Sequence, residues 1–156
     1  MDAKLGVTIV GDYKLTLTTP DARLNANGTA GSQISRSLSV RNDGSAPLNG
    51  VKVSATPPNG WKVTFTPSDT IDQIAPGQDG QVTALITPSG DAVAGDYVVA
   101  FSASATSEGS TGSAATASQD IRVTVETSLV WGLVGLLLIA AVLAGLFWVF
   151  RTYGRR

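Results

Sequence analysis

Apolar and polar residues alternate through much of the first 126 positions, and then the alternation stops. A period of two sends successive side chains to opposite faces of a strand, so this region predicts a series of half-buried strands. In ISRSLSVRN, Ile34, Leu38 and Val40 share one face while Ser35, Ser37, Ser39 and Arg41 share the other. Arg36 interrupts the apolar face, which predicts a sheet edge or rim at that point. VKVSA sets Val51, Val53 and Ala55 against Lys52 and Ser54, and WKVTF sets Trp61, Val63 and Phe65 against Lys62 and Thr64. QVTALIT turns Val82, Ala84 and Ile86 inward, and DYVVAFSASA does the same with Tyr97, Val99, Phe101, Ala103 and Ala105. IRVTVE closes the series with Ile121, Val123 and Val125.

Turn chemistry separates these runs: NDGSAP, TPPNG, APGQDG, TPSGDAVAG and SEGSTGS. Glycine supplies positive φ at such bends, and proline fixes φ while removing a donor from the strand ladder. Strands joined by short turns, with no helix between them, predict an all-β, Ig-like antiparallel sandwich. Its structural core is expected along Trp61, Val63 and Phe65 and along Tyr97, Val99 and Phe101. A Trp in phase with two core residues reads as buried rather than as a ligand platform. Tyr97 follows AGD and opens a strand, where sandwiches place a tyrosine whose hydroxyl ties back to a loop.

The C-terminal pattern is different in kind. Leu129 to Phe150 is a run of 22 residues without a charge. As a helix it is about 33 Å long, against a bilayer hydrocarbon core of about 30 Å. Trp131 lies near one end and Trp148 and Tyr153 near the other, where amphipathic rings favour the headgroup zone. Arg151, Arg155 and Arg156 follow the span, while Arg122 is the one basic residue among the fifteen before it. The positive-inside rule then puts the tail in the cytoplasm and residues 1–128 outside the plasma membrane, a single-pass topology. Ala141 and Gly145 form a small-xxx-small pair suited to a helix–helix contact, although the same spacing fits plain lipid-facing packing.

The chain opens MDAKLGVTIVGDYKLTLTT, which has no export-signal pattern. GDYKLTLTT at Gly11 resembles GDYVVAFSA at Gly95, and each is followed by Gly/Ser/Ala-rich spacing and then a strand. The repeat suggests that residues 1–19 end an incomplete preceding copy and that the chain is the C-terminal piece of a longer one. The alternative makes residues 7–19 the first strand of the same domain.

Charge and composition narrow the chemistry. Residues 1–128 hold 8 Lys and Arg against 12 Asp and Glu, a net of −4, and the three tail arginines bring the chain to −1. A mildly acidic domain lacks the basic stripe that nucleic acid requires. With no Cys and no His, thiol catalysis, His-based triads and zinc sites built on these ligands are excluded. Carboxylates remain: Asp69 and Asp72 three apart in a loop, Asp79 soon after, and Asp91 and Asp96 flanking another loop. They follow no calcium-loop pattern and read as solvated turn aspartates. Asn27-Gly28-Thr29 has the glycosylation pattern. A glycan site on a sandwich needs exposed aromatics, and Trp61, Phe65, Tyr97 and Phe101 all alternate as core.

The stretch from Leu38 to Ala105 resembles a known family. NDGSAPL after a strand, PPNGW before the Trp strand, IAPGQ and AGDYVV are similar to the Ig-like, NPCBM-associated domain found beside carbohydrate-binding modules in bacterial alpha-galactosidases. They also resemble repeats of prokaryotic membrane-anchored surface proteins that carry this domain. The resemblance implies an accessory module with no catalytic residues and no cofactor. A single C-terminal span with an arginine tail is similar to members encoded near transporter components.

The expected organisation is therefore residues 1–24 as strands of a preceding copy, or a first strand plus linker; 25–126 as the sandwich; 127–150 as the transmembrane helix; and 151–156 as a basic tail. The expected function is a non-enzymatic module that sits on the lipid bilayer and positions a protein partner or upstream domains. Two alternatives stand beside it, a carbohydrate-binding accessory domain that takes a glycan and an accessory subunit of a transporter.

Overall fold

The structure, a computed structural model, describes residues 11–106, 113–127 and 129–154. Among these, the strands are β1 (Leu15–Thr18), β2 (Asn25–Thr29), β3 (Ile34–Asn42), β4 (Leu48–Thr56), β5 (Lys62–Thr66), β6 (Thr70–Ile74), β7 (Asp79–Thr87), β8 (Gly95–Thr106) and β9 (Ser113–Glu126), followed by the helix α1 (Leu129–Tyr153). One sheet has the order β1-β3-β7-β5 and the other the order β2-β9-β8-β4-β6. The fold is an Ig-like β-sandwich with one apolar C-terminal helix. The expected SEGSTGS turn lies almost wholly outside the described residues.

Alternation sets which side chains meet between the sheets. Leu38 and Val40 from β3, Ile86 from β7, Val53 from β4, Phe101 from β8 and Ile121 and Val123 from β9 are essentially inaccessible to solvent. Each such side chain contributes about 1.5–3 kcal/mol by leaving water, so the interleaved stripes hold the two layers together without a disulfide.

The pairing departs from a purely antiparallel plan at one edge. β2 runs parallel to β9, from Asn25 beside Arg122 to Thr29 beside Glu126. The reason lies in the segment before it. β1 runs antiparallel to β3 in the first sheet, and the chain then crosses to the second sheet, where β2 takes its place beside β9. The crossing bends at Ala22, whose φ is 53° and whose amide donates to the Thr19 carbonyl at 3.0 Å.

This crossing also assigns residues 15–18. Leu15 pairs with Asn42 and Thr18 with Ser39, while Leu15 and Leu17 are buried in the common core. Residues 15–18 thus form an edge strand of the first sheet and share the sandwich's core. Residues 1–10 lie outside the described residues.

Arg36 occupies the part of β3 that runs past the end of β1, whose register reaches only Ser39. Its guanidinium makes a 3.2 Å ion pair with Asp21 in the crossing segment, while its buried Nε has no partner. At the other end of β3, Asn42 is fully buried. Its Nδ2 donates to the carbonyls of Ala46 and Ile74, each at 2.9 Å, and its Oδ1 accepts from the Gly44 amide at 3.0 Å.

α1 is 25 residues long, about 37 Å at 1.5 Å per residue. It exposes large apolar side chains from Leu133 to Phe150. A helix that is apolar all round is a core helix or a membrane span, and from Gly132 to Tyr153 none of this one is buried against the sandwich.

Candidate functional site

The aromatic stripe belongs to the interior. Trp61, just ahead of β5, is 9% exposed, and its ring lies 5.0 Å from that of Tyr97 at a 49° tilt. Phe65 on β5 meets Phe101 on β8 at 6.4 Å in a near edge-to-face arrangement. Val99 and Phe101 are fully buried, whereas Val63, Phe65 and Tyr97 are half-buried because β5 is an edge strand and Tyr97 sits near the end of its sheet. The Tyr97 hydroxyl donates to the Val93 carbonyl at 2.9 Å, holding down the loop between β7 and β8. Among the described residues of the sandwich, no Phe, Tyr or Trp is exposed. The rings that could stack on a sugar face are turned towards one another.

The carboxylates are dispersed around the rims. Asp72, expected in a loop, stands on β6; Asp79 opens β7, and Asp96 stands on β8 at the edge of the β7–β8 loop. Asp96 accepts from the Thr124 hydroxyl at 2.6 Å and lies 3.9 Å from the Arg122 guanidinium. Asp69 accepts from the Thr70 hydroxyl at 3.0 Å, Asp79 lies 4.0 Å from Arg41, and Asp91 is exposed in the β7–β8 loop. Among the described residues, no three metal-ligating side chains come together. Asn27 lies on the edge strand β2, with its Nδ2 donating to Glu126 at 3.3 Å.

Two carboxylates are held below the ordinary aspartate range. For Asp43 the main cause is the Thr16 hydroxyl, which donates at 2.6 Å, with further help from Arg41 at 2.9 Å. For Asp21 the main cause is the Arg23 amide, with Arg36 adding to it. Both pairings fasten the N-terminal segment to β3. Such acids are structural ties, and neither faces a nucleophile or a second acid.

The surface offers shallow hollows. One of about 460 Å³ lies on the outer face of the second sheet between Leu24, Val98, Asp120 and Arg122. Another, of about 350 Å³, lies at the end where β9 leaves the sandwich and is lined by Ala30, Gly90, Ala92, Ala94, Glu126 and Thr127. Among the described residues, this geometry provides edges, flat faces and loop tips.

Residues 28–106 match the family model for the NPCBM-associated, NEW3 domain of alpha-galactosidase. That span is just over half of the 156-residue chain. The chain belongs to the NEW3 family. The NEW3 match starts inside β2 and ends with β8, so β1 and β9, which complete the two sheets, lie beyond it. NEW3 is an associated domain rather than a catalytic one, and the sandwich is a non-catalytic accessory module.

Among curated proteins, none matches the chain in sequence. Solved structures share its fold. The PapD-like domain 7 of human CEP192 is 11% identical with a TM-score of 0.50, covering 82% of this chain and 96% of that one. A FixG-related protein from Vibrio parahaemolyticus is also 11% identical with a TM-score of 0.50, over 74% of this chain and 98% of that one. A family 123 glycoside hydrolase from Clostridium perfringens is 13% identical with a TM-score of 0.49; 67% of this chain covers only 22% of the hydrolase.

On α1, Ala141 and Gly145 are exposed one turn apart, and Arg151 lies exposed in the last turn. Arg155 and Arg156 lie outside the described residues. Three features were missed in the sequence. The buried carboxamide of Asn42 looked like ordinary turn chemistry, Asp21 showed no link to Arg36, and Val93, 74% exposed, sat within a stretch read only as a turn.

Proposed function

We propose that this NEW3 protein is a non-catalytic module fixed to a membrane by α1, with its sandwich outside the cell and its arginine tail in the cytoplasm. Its work is positional: it holds a protein partner or further domains close to the bilayer. The observation that carries this reading is α1 itself, a helix long enough to cross a bilayer whose described apolar side chains pack against nothing else in the chain. Arg151 at its far end supports the orientation through the positive-inside rule. The small-xxx-small spacing of Ala141 and Gly145 supports a second helix as neighbour in the membrane.

Alkaline carbonate extraction tests the anchor. The full chain is expected to stay in the membrane pellet, and a chain ending at Thr127 to move to the supernatant. Release of the full chain by carbonate would remove the anchoring role.

A further inference from the structure

The sandwich has two unlike ends. At the end where β9 runs into α1, three turns abut: a Cβ built at Gly31 would lie 3.6 Å from Gly90, and one at Gly60 would lie 3.6 Å from Ser89. Asp91 is the one charge within these turns, with Glu126, Lys62 and Asp96 at their flanks; Pro57, Pro58, Ala30 and Ala92 are half-buried, and Val93 and Ala94 are exposed. The opposite end carries Asp12, Lys14, Arg41, Asp43 and Asp79.

Register fixes how far the α1 end reaches. Gly95 pairs with Val125, and Gly90, Ala92 and Ala94 of the preceding loop share a hollow with Glu126 and Thr127, which puts the Val93 loop beside the end of β9. Val93 is 74% exposed, the most exposed large apolar side chain of the described sandwich. Only residues 127 and 128 separate β9 from α1. The three Cα steps from Glu126 to Leu129 reach at most about 11 Å. The headgroup layer on one side of a bilayer is about 5–8 Å thick, half the difference between the full bilayer and its hydrocarbon core. With Leu129 at the hydrocarbon boundary, Thr127 lies at most about 7 Å above it and Glu126 at most about 11 Å, which keeps the β7–β8 loop beside them within reach of the headgroups.

We propose that this end of the sandwich is a lipid-contact surface, with the Val93 loop seated in the headgroup layer of the membrane that α1 enters. The module then stands directly on the bilayer with no free stalk. Its contact is apolar and shape-driven, because the end has no cluster of basic side chains to recognise anionic lipid. This inference rests on the membrane-anchoring reading and adds a second, separate membrane contact to it.

The chain has no cysteine, so each introduced thiol is a unique handle. The full chain carrying Val93→Cys, or Pro76→Cys at the opposite end, is labelled with an environment-sensitive fluorophore and reconstituted into phosphatidylcholine vesicles containing headgroup spin-labelled lipid. The Val93→Cys probe is expected to lose most of its fluorescence to the quencher and to shift to the blue, and the Pro76→Cys probe to do neither. Equal, weak quenching of both probes in chains that float with the vesicles would overturn the lipid contact while leaving the anchor intact. Failure of the chains to float would overturn both.

Discussion

The side-chain nitrogen of Asn42 donates to the Ile74 carbonyl at 2.9 Å, joining the end of β3 in one sheet to the end of β6 in the other. The same nitrogen reaches Ala46, and the Asn42 backbone exchanges hydrogen bonds with Gln78 and Gly77. One buried carboxamide thus organises both turns at the end of the sandwich remote from α1.

Asn42→Ala leaves the Ala46 and Ile74 carbonyls and the Gly44 amide without their partner. An unsatisfied buried group costs about 1–3 kcal/mol, so a loss of about 2–4 kcal/mol is expected after partial access of water. Chemical unfolding in mild detergent, followed by Trp61 fluorescence with Trp131 and Trp148 replaced, measures it. A loss below 0.5 kcal/mol, on the scale of an ordinary surface change, would contradict the assignment.

Leu17 tests whether β1 belongs to this domain. It is 3% exposed and lies in the common core. Leu17→Ala is expected to cost about 2–5 kcal/mol, the range for a buried leucine. A strand of some other copy would give almost no change in the same unfolding experiment.

Tyr97→Phe keeps the ring against Trp61 and removes only the bond to Val93. The expected loss of global stability is about 0.5–1.5 kcal/mol. Amide hydrogen exchange should rise across the β7–β8 loop, because the hydroxyl is what ties that loop to β8. Unchanged exchange there would assign the tyrosine a packing role alone.

Acid should loosen the N-terminal segment before the rest of the sandwich. The Asp43 carboxyl lies below its ordinary value of 3.8 in the folded chain, so the charged form is the one that folding favours. Its contribution is complete above the unfolded value and is lost as pH falls through the lower folded value. Exchange of the β1 amides should therefore accelerate below about pH 4, and Asp43→Asn should flatten that dependence.

Most of the architecture was legible because alternation is a direct record of burial. Val82, Ala84 and Ile86, or Ile121, Val123 and Val125, have to face one way whatever their partners are. The short edge strands were not legible. β2 reads NANGT and β6 reads TIDQI, sequences with little apolar content that adopt strand geometry because a neighbour offers a ladder. The parallel β2–β9 pair follows from a crossing at Ala22, a non-glycine residue at positive φ with no sequence signal of its own. Asn42 was hidden for a different reason: NDG is turn chemistry whether its asparagine faces water or the core. The absence of Cys and His ruled out much chemistry at once, but a partner-binding surface leaves no comparable trace in composition.

Single-cysteine topology labelling decides whether α1 holds the sandwich outside a membrane. Lys52→Cys on the sandwich and Tyr153→Cys at the end of α1 both replace exposed side chains. A membrane-impermeant maleimide is expected to label Lys52→Cys in intact cells, and Tyr153→Cys only after permeabilisation. Labelling of Tyr153→Cys but not Lys52→Cys in intact cells would reverse the orientation and contradict the account.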